Sequence, residues 1–278
     1  MAATEMITVD NVTVAIGEKK LLDGVTMSAA AGEVLGLIGP NGAGKSTLLA
    51  VLTGDRDRIA GEVRIGGFDP ATASPLHMAQ LRAVMLQDVS VAFSFLVWDV
   101  VEMGRRPWEK TSDPETDRAV IEVALEATGV SHLAEREITT LSGGEKARVA
   151  LSRVLAQQTP VVLLDEPTAA MDIGHQEQTL GIARALARSG AAVIVVMHDL
   201  NAAAAYCDRV VCLERGRVVA QGTVDEVYTS EILSGVYGWP IRVERHRDES
   251  NRKSVRVIPQ RATPDISSLG FLSANSGI

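Results

Sequence analysis

One glycine-rich segment constrains this chain more than any other feature: Gly39-Pro40-Asn41-Gly42-Ala43-Gly44-Lys45-Ser46-Thr47. It fits the pattern G-x-x-x-x-G-K-[ST], follows an apolar run at 34–38 and precedes a predicted helix at 46–52. Glycines allow successive backbone N–H groups to converge on a phosphate, and the N-terminus of the following helix adds a positive dipole end. The order strand, loop, helix therefore predicts an α/β core that binds a nucleotide through its phosphates.

Four polar side chains, two of them in this loop, suit phosphoryl transfer. Lys45 can reach the β- and γ-phosphates, and the Ser46 hydroxyl can bind Mg²⁺. A second buried run, 161–164, ends in Asp165-Glu166, and the carboxyl ends of parallel strands face one crevice. We therefore expect Asp165 to hold Mg²⁺, through water, and Glu166 to polarise the attacking water as general base.

Charge and hydropathy exclude several partners. The chain carries 27 Lys and Arg against 35 Asp and Glu, a formal charge of −8, so the basic footprint of a nucleic-acid-binding protein is missing. No stretch approaches the roughly 18 apolar residues of a membrane-spanning helix, and the N-terminus lacks a secretory pattern. We expect a soluble, intracellular protein without a nucleic-acid partner.

A further motif, Leu141-Ser142-Gly143-Gly144-Glu145, begins a predicted helix whose N-terminus could bind another phosphate. With this motif the sequence resembles the ATP-binding-cassette ATPases over residues 5–240. The resemblance rests on motifs in that family's order and spacing: the phosphate loop, Gln87, 141–145, Asp165-Glu166, Met171-Asp172 and His198.

The resemblance implies a P-loop NTPase core of the RecA-like α/β class, with an N-terminal antiparallel β subdomain. It also implies an inserted α-helical subdomain at about 88–158. Beyond this 5–240 domain, the pattern predicts a small C-terminal β-hairpin at 241–258 and a loose tail at 259–278.

The resemblance also implies that two copies of the chain sandwich two ATP molecules head to tail. Each ATP would contact the phosphate loop of one copy and the segment Ser142, Gly143, Gly144 and Glu145 of the other, and Asp172 would cross the dimer seam. Gln87 would touch Mg²⁺ or the lytic water and link the nucleotide to a membrane partner. His198 would contact the γ-phosphate.

One departure from the family concerns the nucleotide base. The family usually has an aromatic residue near position 16, which stacks on adenine, whereas this chain has Ile16. An aliphatic side chain offers apolar contact without ring stacking, which is worth of the order of 1 kcal/mol. We therefore expect weak base selectivity, with ATP and GTP both hydrolysed.

Finer similarities point to an importer. The segments 93–108, Asp172-Ile173-Gly174-His175-Gln176 and 236–243 are similar to importers of iron-siderophores, heme and vitamin B12, and the last is most similar to heme importers. This implies membrane permease subunits, an extracytoplasmic binding protein and a place at the cytoplasmic face of the inner membrane. The alternatives are siderophore or vitamin B12 uptake, a non-transport cassette protein such as a translation or DNA-repair factor, and a scaffold that binds nucleotide without turnover.

Three aromatic residues, Phe93, Phe95 and Trp98, lie soon after Gln87. They could line a groove for a helix of the membrane subunit, or they could form the core of the helical lobe. A charge at Val97 would distinguish the two, because loss of folding would favour the core.

Overall fold

The computed structural model describes residues 4–86, 94–169, 171–247 and 253–261. Its strands are β1 (Glu5–Ile16), β2 (Lys19–Ala30), β3 (Val34–Ile38), β4 (Ala60–Ile65), β5 (Arg82–Met85), β6 (Val161–Asp165), β7 (Ala192–Val196), β8 (Arg209–Glu214), β9 (Arg217–Thr223), β10 (Ile241–Arg247) and β11 (Lys253–Pro259). Its α-helices are α1 (Lys45–Leu52), α2 (Pro75–Leu81), α3 (Val97–Glu102), α4 (Pro114–Ala127), α5 (Gly143–Gln157), α6 (Ile173–Arg188), α7 (Leu200–Tyr206), α8 (Val224–Val227) and α9 (Ser230–Tyr237).

The central sheet has the order β5-β6-β7-β3-β8-β9, in which β9 is antiparallel to β8 and the other pairings are parallel. Strands β3, β6 and β7 are fully buried because both faces of the sheet are covered there. Side chains alternate along β7: Val193 and Val195 face one hydrophobic cluster, whereas Ile194 and Val196 face the other. The α/β class predicted from the sequence is confirmed.

One face of this sheet carries α1 and a three-stranded antiparallel sheet of order β2-β1-β4. The other face carries α6, α7 and α9. The local apolar pattern predicts a short strand at 25–28, whereas β2 extends over Lys19–Ala30. Lys19 and Lys20 interrupt the apolar pattern, yet they pair with Ile16 and Ala15 of β1 and keep their side chains exposed.

Helices α3, α4 and α5 form a lobe with its own hydrophobic cluster. The sequence Asp113-Pro114-Glu115 predicts a helix start, and α4 begins there. Asp113 is its N-cap and accepts bonds from Glu115 N (3.1 Å) and Thr116 N (2.9 Å). Helix α2 begins in the same way, with Ser74 as its N-cap and Pro75 in its first position.

Strands β10 and β11 pair antiparallel in the region where a hairpin is predicted. The hairpin contacts α7 through Asn201, whose side chain donates to Val257 O (3.2 Å) and accepts from Val257 N (2.8 Å). The predicted tail lies outside the described residues from 262 onward. Within the described residues, no helix is long and apolar enough to cross a membrane.

Candidate nucleotide-binding site

The parallel sheet brings the predicted catalytic segments to one edge. The phosphate loop follows β3, Asp165 ends β6, and His198 comes two residues after β7. Since these strands are parallel and adjacent in the order β6-β7-β3, their carboxyl ends lie side by side. Residues far apart in the chain therefore share one crevice.

Backbone crowding explains two of the loop glycines. Gly39 has φ +142°, and a Cβ there would lie 2.1 Å from Leu213 O of β8. Gly44 has φ +108°, and a Cβ would lie 3.1 Å from Leu21 O of β2. Gly44 is also the N-cap of α1 and supplies no side-chain cap, so the first N–H groups of this helix remain available to an anion.

Lys45 is buried at the start of α1, and its Nζ donates to Gly39 O (2.6 Å) and Pro40 O (3.1 Å). Burial lowers the pKa of Lys45, while the negative charges of Glu166 and Asp165 act in the opposite direction. The ammonium thus lies between the loop carbonyls and two carboxylates. From this place it can exchange carbonyl contacts for phosphate oxygens.

Glu166 and His198 are in direct hydrogen-bond contact, between Oε1 and Nε2. Glu166 has φ +48°, a left-handed conformation that is rare outside glycine, and its N donates to Val196 O (3.2 Å). Such a conformation costs of the order of 1–3 kcal/mol and is concentrated at functional sites. It turns this carboxylate out of β6 toward His198 and the phosphate loop.

Asp165 is buried, with 7% of its surface exposed, and within the described residues its Oδ1 has no hydrogen-bond partner. Burial, and then the charge of Glu166, raise the pKa of Asp165. An unpaired buried carboxylate oxygen is costly unless a cation completes it. This oxygen and the exposed Ser46 hydroxyl are hard donors of the kind that Mg²⁺ prefers.

The described residues hold no cluster of three or more His, Cys, Asp or Glu side chains that could ligate a metal ion. A divalent cation here would therefore need further oxygens from nucleotide and water, as Mg²⁺ in nucleotide sites usually has.

A cavity of about 430 Å³, a volume in the range of small-molecule sites, brings together the phosphate loop, Glu166 and His198, whereas Asp165 is not among the described residues that line it. It is lined by Lys19, Lys20, Leu21, Asn41, Gly42, Ala43, Gly44, Lys45, Ser46, Thr47, Glu166, His198 and Arg215. Lys19, Lys20, Leu21 and Arg215 are not predicted from the sequence. These residues belong to no local sequence motif, because strand pairing of β2 and the β8–β9 turn bring them to the cavity. Ile16, predicted to contact the base, is 57% exposed and is not among the described residues that line the cavity.

The segment predicted to contact ATP from a second copy lies outside this cavity. Ser142 is the exposed N-cap of α5 and forms a capping box with Glu145: Ser142 Oγ accepts from Glu145 N (3.3 Å), and Glu145 Oε2 accepts from Ser142 N (2.8 Å). The Ser142 hydroxyl also donates to Glu145 Oε2 (2.7 Å), and this bond, followed by the one from Ser142 N, lowers the pKa of Glu145. Gly143 is exposed and Gly144 half-buried.

Asp172 caps α6 by accepting from His175 N (3.0 Å), and its side chain is 70% exposed. Gln87 and Phe93 lie outside the described residues.

Phe95 and Trp98 line a groove of about 900 Å³ between α3 and α4, whereas Val97 is fully buried in the core of the lobe. The aromatic residues thus have a groove position, and Val97 has a core position. A charge at Val97 would test folding, so Trp98 is the residue with which to test the groove.

Comparisons with known proteins agree with this arrangement. The sequence profile of the ABC transporter family matches residues 22–169. The hemin import ATP-binding protein of Rhodococcus jostii is 50% identical over 85% of this chain and 81% of its own length. That of Nocardia farcinica is 53% identical over 82% and 79%.

Solved structures give the same result. A metal-chelate type ABC transporter in an inward-facing conformation superposes with a TM-score of 0.79 at 26% identity, covering 93% of this chain and 98% of that one. A dimeric bacterial ABC transporter cassette superposes with a TM-score of 0.72 at 26% identity, covering 79% and 99%. From its fold, its loop and these matches, the chain belongs to the ABC transporter family of ATP-binding cassettes.

Proposed function

We propose that this chain is the ATP-hydrolysing subunit of a membrane importer of heme. The ATPase part is supported by one observation above all: Glu166 and His198 face the phosphate loop across a single cavity. The heme part is supported by relatives at 41–53% identity over most of the chain, each of which is named a hemin import ATP-binding protein.

In this mechanism the phosphates of ATP lie over the N-terminus of α1, and Lys45 moves from the carbonyls of Gly39 and Pro40 to phosphate oxygens. Glu166 accepts a proton from the attacking water, and its contact with His198 orients the carboxylate. His198 also hydrogen-bonds the γ-phosphate.

Mg²⁺, held by Ser46 and Asp165, would neutralise charge on the β- and γ-phosphates. Gln87 is the remaining proposed ligand, from outside the described residues.

A second copy of the chain completes each ATP site with Ser142, Gly143, Gly144 and Glu145, and with Asp172 at the seam. ATP binding then closes the dimer and hydrolysis reopens it, so turnover switches the dimer between a closed and an open state. The pair sits at the cytoplasmic face of the membrane on permease subunits, which receive cargo from an extracytoplasmic binding protein.

The ATPase proposal is tested by measuring phosphate release from the purified chain, with wild type and Lys45→Ala compared in Mg²⁺ and in EDTA. Turnover that needs both Mg²⁺ and Lys45 supports the proposal. Nucleotide binding without turnover, even with the permease present, would instead indicate a scaffold.

The cargo is tested separately in proteoliposomes that contain this chain with the permease that co-purifies with it. We expect the heme-loaded binding protein to stimulate ATP hydrolysis and heme accumulation. Stimulation by a ferric siderophore or by vitamin B12, without stimulation by heme, would replace the cargo and leave the ATPase intact.

A further inference from the structure

The nucleotide cavity has two walls, which the sheet order places on opposite sides of the phosphate loop. Strand β3, which leads into the loop, is paired with β7 on one side and with β8 on the other. His198 follows β7, with Glu166 beyond it on β6, whereas Arg215 directly follows β8. The cavity therefore extends from the catalytic pair, over the loop, to Arg215.

The wall at Arg215 is fixed by backbone contacts. Gly216 N donates to Ala43 O of the phosphate loop (2.8 Å), and Asp23 N donates to Gly216 O (2.8 Å). A Cβ on Gly216 would lie 2.5 Å from Leu21 O, so the turn lies directly against β2. Arg215 itself has φ +48°. The turn thus holds the Arg215 backbone at a set place beside the loop.

The proposed hydrolysis places the γ-phosphate at Glu166 and His198, so the nucleoside must lie at the opposite wall. The described side chains of that wall are aliphatic or cationic: Lys19, Lys20, Leu21 and Arg215. Among them only the guanidinium of arginine is planar, and it stacks on aromatic faces, which a lysine ammonium cannot do. Ile16, the alternative base contact, points largely into solvent.

The Arg215 side chain is also able to move. It is 91% exposed, and its ion pair with Glu214 is long, at 3.7 Å between Nε and Oε1. A long exposed pair contributes little, so laying the guanidinium on a base costs little. Lys20, by contrast, is held by Asp23 at 2.7 Å.

We propose that Arg215 is the base-contacting residue of this site, with its guanidinium stacked on the purine ring of the bound nucleotide. The proposal rests on the proposed ATP site. Stacking does not depend on the hydrogen-bonding edge of the base. ADP and GDP therefore bind with similar affinity, and both depend on Arg215.

The test is calorimetric binding of ADP and of pyrophosphate, which share two phosphates and differ by the nucleoside. Arg215→Asn is the main variant because asparagine tolerates a positive φ and keeps the turn. We expect ADP to bind about three- to tenfold more weakly and pyrophosphate to bind as in wild type. Arg215→Lys, which keeps the charge without the plane, is expected to behave like Arg215→Asn. Arg242→Asn, on exposed β10, is the matched control.

Several results would overturn the stacking contact. Unchanged ADP affinity in Arg215→Asn would remove Arg215 from the site. Equal weakening of ADP and pyrophosphate would make Arg215 a phosphate ligand, and full recovery in Arg215→Lys would reduce its role to a point charge. A wild-type chain that binds neither ADP nor ATP would instead refute the proposed ATP site.

Discussion

The phosphate loop and the motif at 141–145 both end in a helix N-terminus, but the two helix starts are built in opposite ways. Helix α1 begins after Gly44, and no side chain among the described residues caps its N–H groups. Helix α5 begins after Ser142, where a capping box satisfies the N-terminus from within the chain. The first helix start is prepared for a ligand inside a cavity, whereas the second is stable while exposed to solvent.

This difference indicates how a shared ATP site would be divided. In one half of the site, the cavity around the phosphate loop, contacts with neighbouring backbone fix the geometry, as at Gly39 against Leu213 O. The other half, the exposed segment 141–145, keeps its own hydrogen bonds in the isolated chain. When a second copy brings its ATP, the Ser142 hydroxyl would exchange its bond with Glu145 for one with a phosphate oxygen. Four experiments with variants of this chain test this division of the site.

The largest expected effect is on the cavity half. Glu166→Gln removes the proposed general base while keeping the shape of the side chain, so we expect ATP turnover to fall by about 10²–10⁴-fold. ATP affinity should remain near that of wild type, measured by calorimetry beside phosphate release. Turnover within a few-fold of wild type would exclude Glu166 as the base.

The next test joins the two halves. Lys45→Ala and Ser142→Arg should each be nearly inactive alone, since every site of either dimer carries one defect. Mixing the two variants forms heterodimers in which one site has both halves intact, so phosphate release should rise above that of either variant. A mixture no more active than its components would contradict a site shared between copies.

A smaller effect is expected at Asp165. Because burial raises its pKa, the ionised carboxylate destabilises the folded protein at neutral pH. Asp165→Asn should therefore raise the free energy of unfolding of the metal-free protein by about 1–3 kcal/mol, measured with urea.

The sign of the pH dependence follows from the raised pKa. Below the ordinary pKa of an aspartate the carboxyl is protonated in both states, and the advantage of Asp165→Asn should vanish. The advantage should grow as the pH rises through the raised pKa of the folded state. An advantage that is constant with pH would show that ionisation of Asp165 is not its cause.

The smallest effect concerns the exposed half. Ser142→Ala removes the N-cap of α5 and should cost about 1 kcal/mol of folding stability in the nucleotide-free chain. Ser142→Thr retains the capping oxygen and serves as the control. If the alanine variant were as stable as wild type, the capping box would not explain the stability of this exposed helix start.

Much of this fold could be predicted because local and tertiary signals agree. The uninterrupted apolar run of β3 matches a strand covered on both faces, and Asp113-Pro114 matches the start of α4. Strand β2 is longer than predicted because Lys19 and Lys20 join it by pairing with β1, which no local pattern reports.

The site, like the fold, has residues that the sequence predicts and residues that it does not. Residues within a motif, such as Lys45 and Glu166, line the cavity as expected. Arg215 could not be found in this way, since it enters the cavity only because β8 is placed beside β3. Arg215 lies near the loop because of the order of the strands, and no spacing in the sequence indicates this.

The same sheet order has a consequence for how the protein is made. Strand β3 leaves the ribosome early, but its partners β7 and β8 begin at Ala192 and Arg209, late in the chain. Gly39 takes its position against the backbone of β8, so the loop stays without its supporting wall until β8 has been synthesised. Pairings between strands far apart in the sequence form slowly, so the ability to bind nucleotide should appear late in folding. A nascent chain that is stalled before β8 should therefore have no affinity for ATP, however complete its loop.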